Sequence, residues 1–177
     1  MSHVHACPLP SSALLARYVG AGYVDCYTAV VARRVSHAEF VVAFYTGRVF
    51  KLERMLLQRF AGLGATDEDA RQLAAGTRHA FAAWTVEARA ADQLLMCDVR
   101  GRTRSWFMVT PSSDGGGTRL YFGSAVVARQ PVPGAEPRIG RFATALLGFH
   151  KLYSRVLLAA ARARLARAPA PAELSSP

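Results

Sequence analysis

The stretch Gly140-Arg141-Phe142-Ala143-Thr144-Ala145-Leu146-Leu147-Gly148-Phe149-His150-Lys151-Leu152-Tyr153-Ser154-Arg155-Val156-Leu157 carries the longest helical pattern in the chain. Ile139, Phe142, Ala143, Leu146, Phe149, His150, Tyr153, Val156, Leu157 and Ala160 recur at steps of three and four, which makes one wide apolar stripe. Arg141, Lys151, Arg155, Arg162 and Arg164 fall mostly off it. Such a stripe needs a surface to cover. His150 and Tyr153 put two polar tips inside it, and three-residue spacing places them on one face. If the helix runs unbroken through Gly148, His150 faces whatever the helix covers.

That surface lies upstream, where the period of the sequence changes from 3.6 to 2 at Phe81. Strands are expected over Phe81–Ala88, Gln93–Val99, Thr103–Thr110 and Thr118–Arg129. Arg100-Gly101 turns the second into the third, and Ser112 to Gly117 turns the third into the fourth. Short connections of this kind make an antiparallel meander. A further strand is expected over Tyr23–Ala32, which is rich in β-branched and aromatic residues apart from Asp25. It has no hairpin neighbour, so it must cross over and pair with the last strand.

Between the first strand and the meander, two shorter helices are expected. Ser36-His37-Ala38-Glu39 is a capping box, in which hydroxyl and carboxylate exchange hydrogen bonds with each other's amides. It opens a helix carrying Phe40, Val41 and Phe44, then Leu52, Met55, Leu56 and Phe60, with a break at Thr46-Gly47. Thr66 caps a second helix with acids in its first turn, and Gly76 closes it. Leu14 to Tyr18 is a short helical turn in a loose N-terminal arm (1–20), the domain spans 21–167, and 168–177 is a Pro-, Ala- and Ser-rich tail read as disordered. The fold class is therefore α+β, one antiparallel sheet with helices gathered on one face.

Composition agrees with a folded domain: 177 residues, 51% hydrophobic and 19% charged. The net charge is +10, with Lys51 and Lys151 the only lysines. An anionic partner is one reading of that charge. An arginine-for-lysine bias from a GC-rich genome is the other, and the basic residues are scattered. They lack the aromatic interleaving of single-strand binders, so no specific nucleic-acid binding is expected. Arg48, Lys51, Arg54 and Arg59 give the first helix a basic side, either a solvated face or a weak contact with an anionic membrane surface. No apolar run reaches the roughly 18–20 residues of a membrane span. Cys7, Cys26 and Cys97 are odd in number with no metal-ligand spacing, so free thiols in a reducing, cytoplasmic setting are expected. No phosphate loop, nucleophile elbow or metal motif is present, and no cofactor is expected.

The order of elements resembles the helix-grip fold of the START and Bet v 1-like (SRPBCC) superfamily, over roughly residues 22–167. Gly140-Arg141-Phe142 followed by Phe149-His150, and Gly101-Arg102-Thr103-Arg104-Ser105-Trp106 in the sheet, are similar to a bacterial branch of it. The resemblance implies a curved sheet gripping the C-terminal helix, with a cavity for lipids, sterols, polyketides or other apolar molecules. It also implies that some members act as cyclases or dehydratases. It supplies no catalytic motif, and the strands read here are fewer than the superfamily's full set.

The candidate ligand-binding residues are Asp25, Trp84, Asp98, Arg104, Trp106, Tyr121, His150 and Tyr153. In a cavity, His150 would anchor a polar group or move a proton, and Tyr153 would donate. As core groups, the same two would bond the sheet. Asp25, Asp98 and Arg104, if inward, must pair, because a buried lone charge costs several kcal/mol; at strand ends they would face solvent. Trp84, Trp106, Phe107, Tyr121 and Phe122 suit a pocket wall and a plain core equally well. Three readings follow: a binding module for a small apolar or amphipathic ligand, an enzyme using His150 as acid or base, and an interaction protein with a filled core.

Overall fold

The computed structural model describes residues 4–51, 64–113, 115–127 and 141–168, and within 141–150 the helical backbone alone. The expected Leu52–Phe60 continuation with Arg54 and Arg59, the Pro-rich crossover before Ile139 and the tail from 169 lie outside the described residues.

Seven strands form one antiparallel sheet: β1 (His5–Ala6), β2 (Gly22–Val31), β3 (Ala80–Phe81), β4 (Trp84–Ala90), β5 (Gln93–Asp98), β6 (Thr103–Pro111) and β7 (Thr118–Val127). Their spatial order is β1-β2-β7-β6-β5-β4-β3. β2 pairs with β7 without a break from Gly22↔Val127 to Val31↔Thr118, the expected crossover, and its other edge takes the two-residue β1. The strand expected over Phe81–Ala88 is two pieces. Ala82 takes a left-handed φ of 49°, and Phe81 turns back to pair with Trp84. A bulge between Val86 and Ala88 then shifts the register against β5.

The helices start where their caps dictate. Ser36 Oγ accepts from the Glu39 amide at 3.1 Å, and Glu39 accepts from the Ser36 amide at 2.8 Å, opening α1 (His37–Tyr45). Helix stops at Thr46 and resumes over 48–51, so the break falls at Thr46-Gly47. Thr66 and Asp69 form the same box at α2 (Asp67–Ala75), and Gly76 ends it at a φ of 83°. Lys51 on the basic side pairs with Asp67 at 2.6 Å. The C-terminal helix, α3 (Arg141–Arg167), packs on β2, α1 and, less extensively, β7. No helix among the described residues is long and apolar enough to cross a membrane.

The sheet is covered on both faces. Tyr27, Ala29, Leu94, Met96, Phe107, Leu120 and Phe122 meet Phe40, Phe44, Leu157 and Leu158 on the helix side. Cys26, Leu95, Trp106, Met108 and Ala125 form a second core beneath Ala13 and Leu15. The N-terminal arm thus lies on the back of the sheet, with its helical turn as a 3-10 segment, Leu14–Tyr18. Gly123 allows this closeness: a Cβ there would sit 2.9 Å from Leu15 Cδ2 and 3.1 Å from Trp106 Cε3.

One detail of the helical stripe is corrected. Val156 was expected inside and is 41% exposed, whereas Ser154 and Leu158 are buried with Leu157, Ala161 and Leu165. The helix sits in the corner between β2 and α1. Its buried arc is therefore turned towards β2, where Arg162 bonds the Val30 carbonyl and Arg155 lies over Tyr27, relative to the arc that apolar residues alone describe.

Candidate functional site

α3 covers β2 and part of β7, and α1 packs on β6. Between them, at the end of the sheet where β5 turns into β6, a cavity of about 290 Å³ remains. Its helix-side walls are Phe44, Tyr45 and Phe50 with Tyr153, Ser154 and Leu157 from α3. The sheet contributes Ala83, Trp84, Asp98, Thr103, Ser105 and Phe122. Strand alternation explains the last set: Thr103, Ser105 and Phe107 share the helix face while Arg104 and Trp106 point away.

The aromatic walls brace one another. Phe44 lies 4.7 Å from both Phe107 and Phe122, and Tyr45 lies 4.9 Å from Phe50 and 4.7 Å from Phe81, centroid to centroid. Interlocked rings in these tilted and edge-on arrangements hold their rotamers, so the wall is pre-formed. Asp98 is equally fixed. Its Oδ1 accepts from the amides of Arg102 at 2.6 Å and Thr103 at 2.9 Å, closing the turn that Gly101 makes at a φ of 67°. A turn-capping aspartate thereby places a carboxylate on the cavity wall. Asp98, Tyr45 and Tyr153 are the titratable groups among the described lining residues.

Of the residues singled out in the sequence, the cavity brings together Trp84, Asp98 and Tyr153. His150 belongs to α3, and its side chain lies outside the described residues. Asp25 is on the helix face of β2 but away from the cavity. It accepts from the Ser124 amide at 3.1 Å, the Ser124 hydroxyl at 2.5 Å and the Tyr23 hydroxyl at 3.1 Å. Arg104, Trp106 and Tyr121 belong to the back of the sheet. Arg104 bonds Glu87 at 3.0 Å and lies 4.6 Å over the Tyr18 ring. Trp106 is fully buried and donates to Gln93 at 2.8 Å, with Tyr121 beside it. Asp25, Asp98 and Arg104 therefore form no common cluster: each has its own local partners, and Arg104 is on the opposite face.

Sequence reasoning passed over Phe44, Tyr45, Phe50, Thr103, Ser105 and Ser154. The alternation of Thr103, Ser105 and Phe107 against Arg104 and Trp106 was the signal for two of them. Ser154 carries no such signal, because a hydroxyl beside an apolar stripe reads as solvent-facing. Among the described residues no group of His, Cys, Asp and Glu is placed to hold a metal ion. No family model, no curated protein and no solved structure matches this chain.

Proposed function

We propose that the chain is a helix-grip binding module, distantly akin to the START and Bet v 1-like superfamily, that holds a small amphipathic ligand between the sheet and α3. The observation that carries this reading is the division of the cavity wall into two chemistries. Phe44, Tyr45, Phe50, Trp84 and Phe122 offer an apolar, aromatic lining, while Asp98, Thr103, Ser105 and Ser154 supply hydrogen-bonding groups. A few polar groups on a mostly apolar concave surface are what orient a small molecule. At about 290 Å³ the space suits a compact aromatic or short-chain molecule rather than a sterol or a full-length lipid. The acceptor oxygens of Asp98 at the wall favour a ligand whose polar end donates hydrogen bonds.

The test uses N-phenyl-1-naphthylamine, a neutral aromatic probe with one N–H donor, titrated into the purified full chain. Saturable fluorescence enhancement at one site per chain is expected, lost in Ser105→Phe, which fills the cavity. Native mass spectrometry of protein never exposed to denaturant should show a co-purified small mass that the probe displaces. Equal probe response in wild type and Ser105→Phe, with both folded, would sink the proposal.

A further inference from the structure

Cys7 and Cys26 are neighbours across a strand pair. β1 and β2 pair His5 with Thr28 and Ala6 with Tyr27, and the same antiparallel register puts Cys7 opposite Cys26. The Cys7 amide donates to the Cys26 carbonyl at 3.0 Å, so the register holds at this position. The two sulfurs stand 3.3 Å apart, and both thiols are free. Opposed residues in antiparallel strands have Cα atoms about 4.5–5.5 Å apart, inside the range of about 4.4–6.8 Å that a disulfide tolerates. Closing the sulfurs to about 2.05 Å takes a movement of about an ångström.

The pair has an approach route. An open pocket of about 530 Å³ at the β2 edge is lined by Cys7 and Cys26, by Tyr23 and Tyr27, and by Lys151 and Arg155 of α3. Lys151 lies 5.4 Å over the Tyr23 ring and Arg155 5.8 Å over the Tyr27 ring. Lys151 and Arg155 reach this pocket from the helix side of the β2 edge, while the sulfurs lie towards the back of the sheet, where Arg119 acts on Cys7; cations on both sides of the edge suit an oxidant that carries carboxylates.

From this geometry we infer that Cys7 and Cys26 form a redox latch, oxidised by an anionic low-molecular-weight disulfide such as glutathione disulfide, that locks the N-terminal arm onto β2. Cys7 is the less buried thiol and attacks first. It gives up its proton, its sulfur bonds one sulfur of the reagent, and the other leaves as a thiolate that takes up a proton. Cys26 then gives up its proton and attacks the Cys7 sulfur, expelling the second thiol. Two protein thiols become one disulfide, and one reagent disulfide becomes two thiols. Burial raises both thiols above their usual range, and at Cys7 the hydrogen bond with Cys26 and then the Arg119 guanidinium offset part of this. The thiolate is therefore scarce at neutral pH, and the first step quickens as pH rises.

The bond would close a loop between positions 19 apart that contains the whole 3-10 segment. Loops of that length constrain the unfolded chain enough to raise the thermal midpoint by about 5–10 °C in a domain of this size. The experiment incubates the folded full chain with glutathione disulfide at pH 8, alkylates remaining thiols, and maps peptides without reduction. The expected result is a Cys7–Cys26 peptide pair, Cys97 still alkylated, the raised midpoint, and reversal of both by dithiothreitol. Cys7→Ser should show neither the pair nor the shift, and Cys97→Ser should show both. A persistent glutathione adduct on Cys7, an intermolecular dimer, three unreacted thiols, or a cross-link that leaves the midpoint unchanged or lower would each overturn the latch.

Discussion

Arg33 donates from Nε to the carbonyl oxygen of Leu165 at 2.9 Å, across 132 residues of sequence. The same guanidinium reaches Glu39, the acid of the α1 capping box, at 3.0 Å. One side chain just past β2 therefore ties the last turn of α3 to the first turn of α1. The final carbonyls of a helix lack intrahelical partners and carry the negative end of its dipole, so a cation satisfies them twice over.

Replacing Arg33 with Met should cost about 1.5–3 kcal/mol, the range of hydrogen bonds to charged groups, at a side chain that is 14% exposed. Arg33→Lys should recover little, since an ammonium cannot fork between a carbonyl and a carboxylate. Urea unfolding measures the loss. Hydrogen exchange should locate it at 160–167, while β5 and β6 remain protected.

His37 makes stability depend on pH. It is 8% exposed at the first position of α1, and its Nε2 has no hydrogen-bond partner among the described residues. Burial pushes its imidazole down to about 4, with Arg89 adding to the effect and Asp92 and the Phe107 backbone opposing it. The folded pKa lies below the unfolded one, so the unfolded chain binds the proton first. Stability is complete above about pH 6.5 and falls as pH drops towards 4, by about 3 kcal/mol in all. Glu39 acts lower down. Burial alone would raise its carboxyl, but the Ser36 and Arg33 bonds outweigh it and the group ends below 4.5, so its contribution is lost only beneath that pH. Denaturant midpoints at pH 7, 5.5 and 4.5 should flatten in His37→Leu, and an unchanged slope would show that other groups carry the titration.

Gln93 anchors the arm to the back of the sheet. Its carbonyl oxygen accepts from the Leu14 amide at 2.9 Å and from Trp106 Nε1 at 2.8 Å, while its amide donates to the Ser12 carbonyl at 3.0 Å. Gln93→Leu orphans all three groups and should cost about 2–4 kcal/mol. It should also expose the arm to early proteolysis and shift Trp106 emission to the red. Wild-type protease resistance in the variant would refute this role.

The features legible in the sequence are those written in fixed local spacing. The Ser36–Glu39 box, the Gly76 stop, the Thr46-Gly47 break and the Arg100-Gly101 turn between β5 and β6 each need only a few neighbouring residues. The crossing of β2 to β7 followed from a strand with no hairpin partner. What could not be read was which strand face looks at which layer. β5 buries Leu94 and Met96 on one side and Leu95 on the other, so no polar face marks the outside. Arg104, Trp106 and Tyr121 were grouped with the cavity for that reason. The helical turn Leu14–Tyr18 was legible, but its packing on the back of the sheet was not, because Leu9, Leu14 and Leu15 follow no period; their place is set by the shape of the second core and the bare backbone at Gly123.

The pairing of β2 with β7 also sets a timetable. Thr28 donates from its hydroxyl to the Leu120 carbonyl, a partner 92 residues further along the chain. A ribosome adding about 5–20 residues per second delivers that partner roughly 5–20 s after β2 has been made. For that interval Gly22–Val31 has neither its neighbour nor α3 to cover it, and the unpaired N–H and C=O groups along its edge are open to other chains. On the nascent chain β2 can add no more than the short β1 strand, and its main ladder forms only once the last strand has emerged.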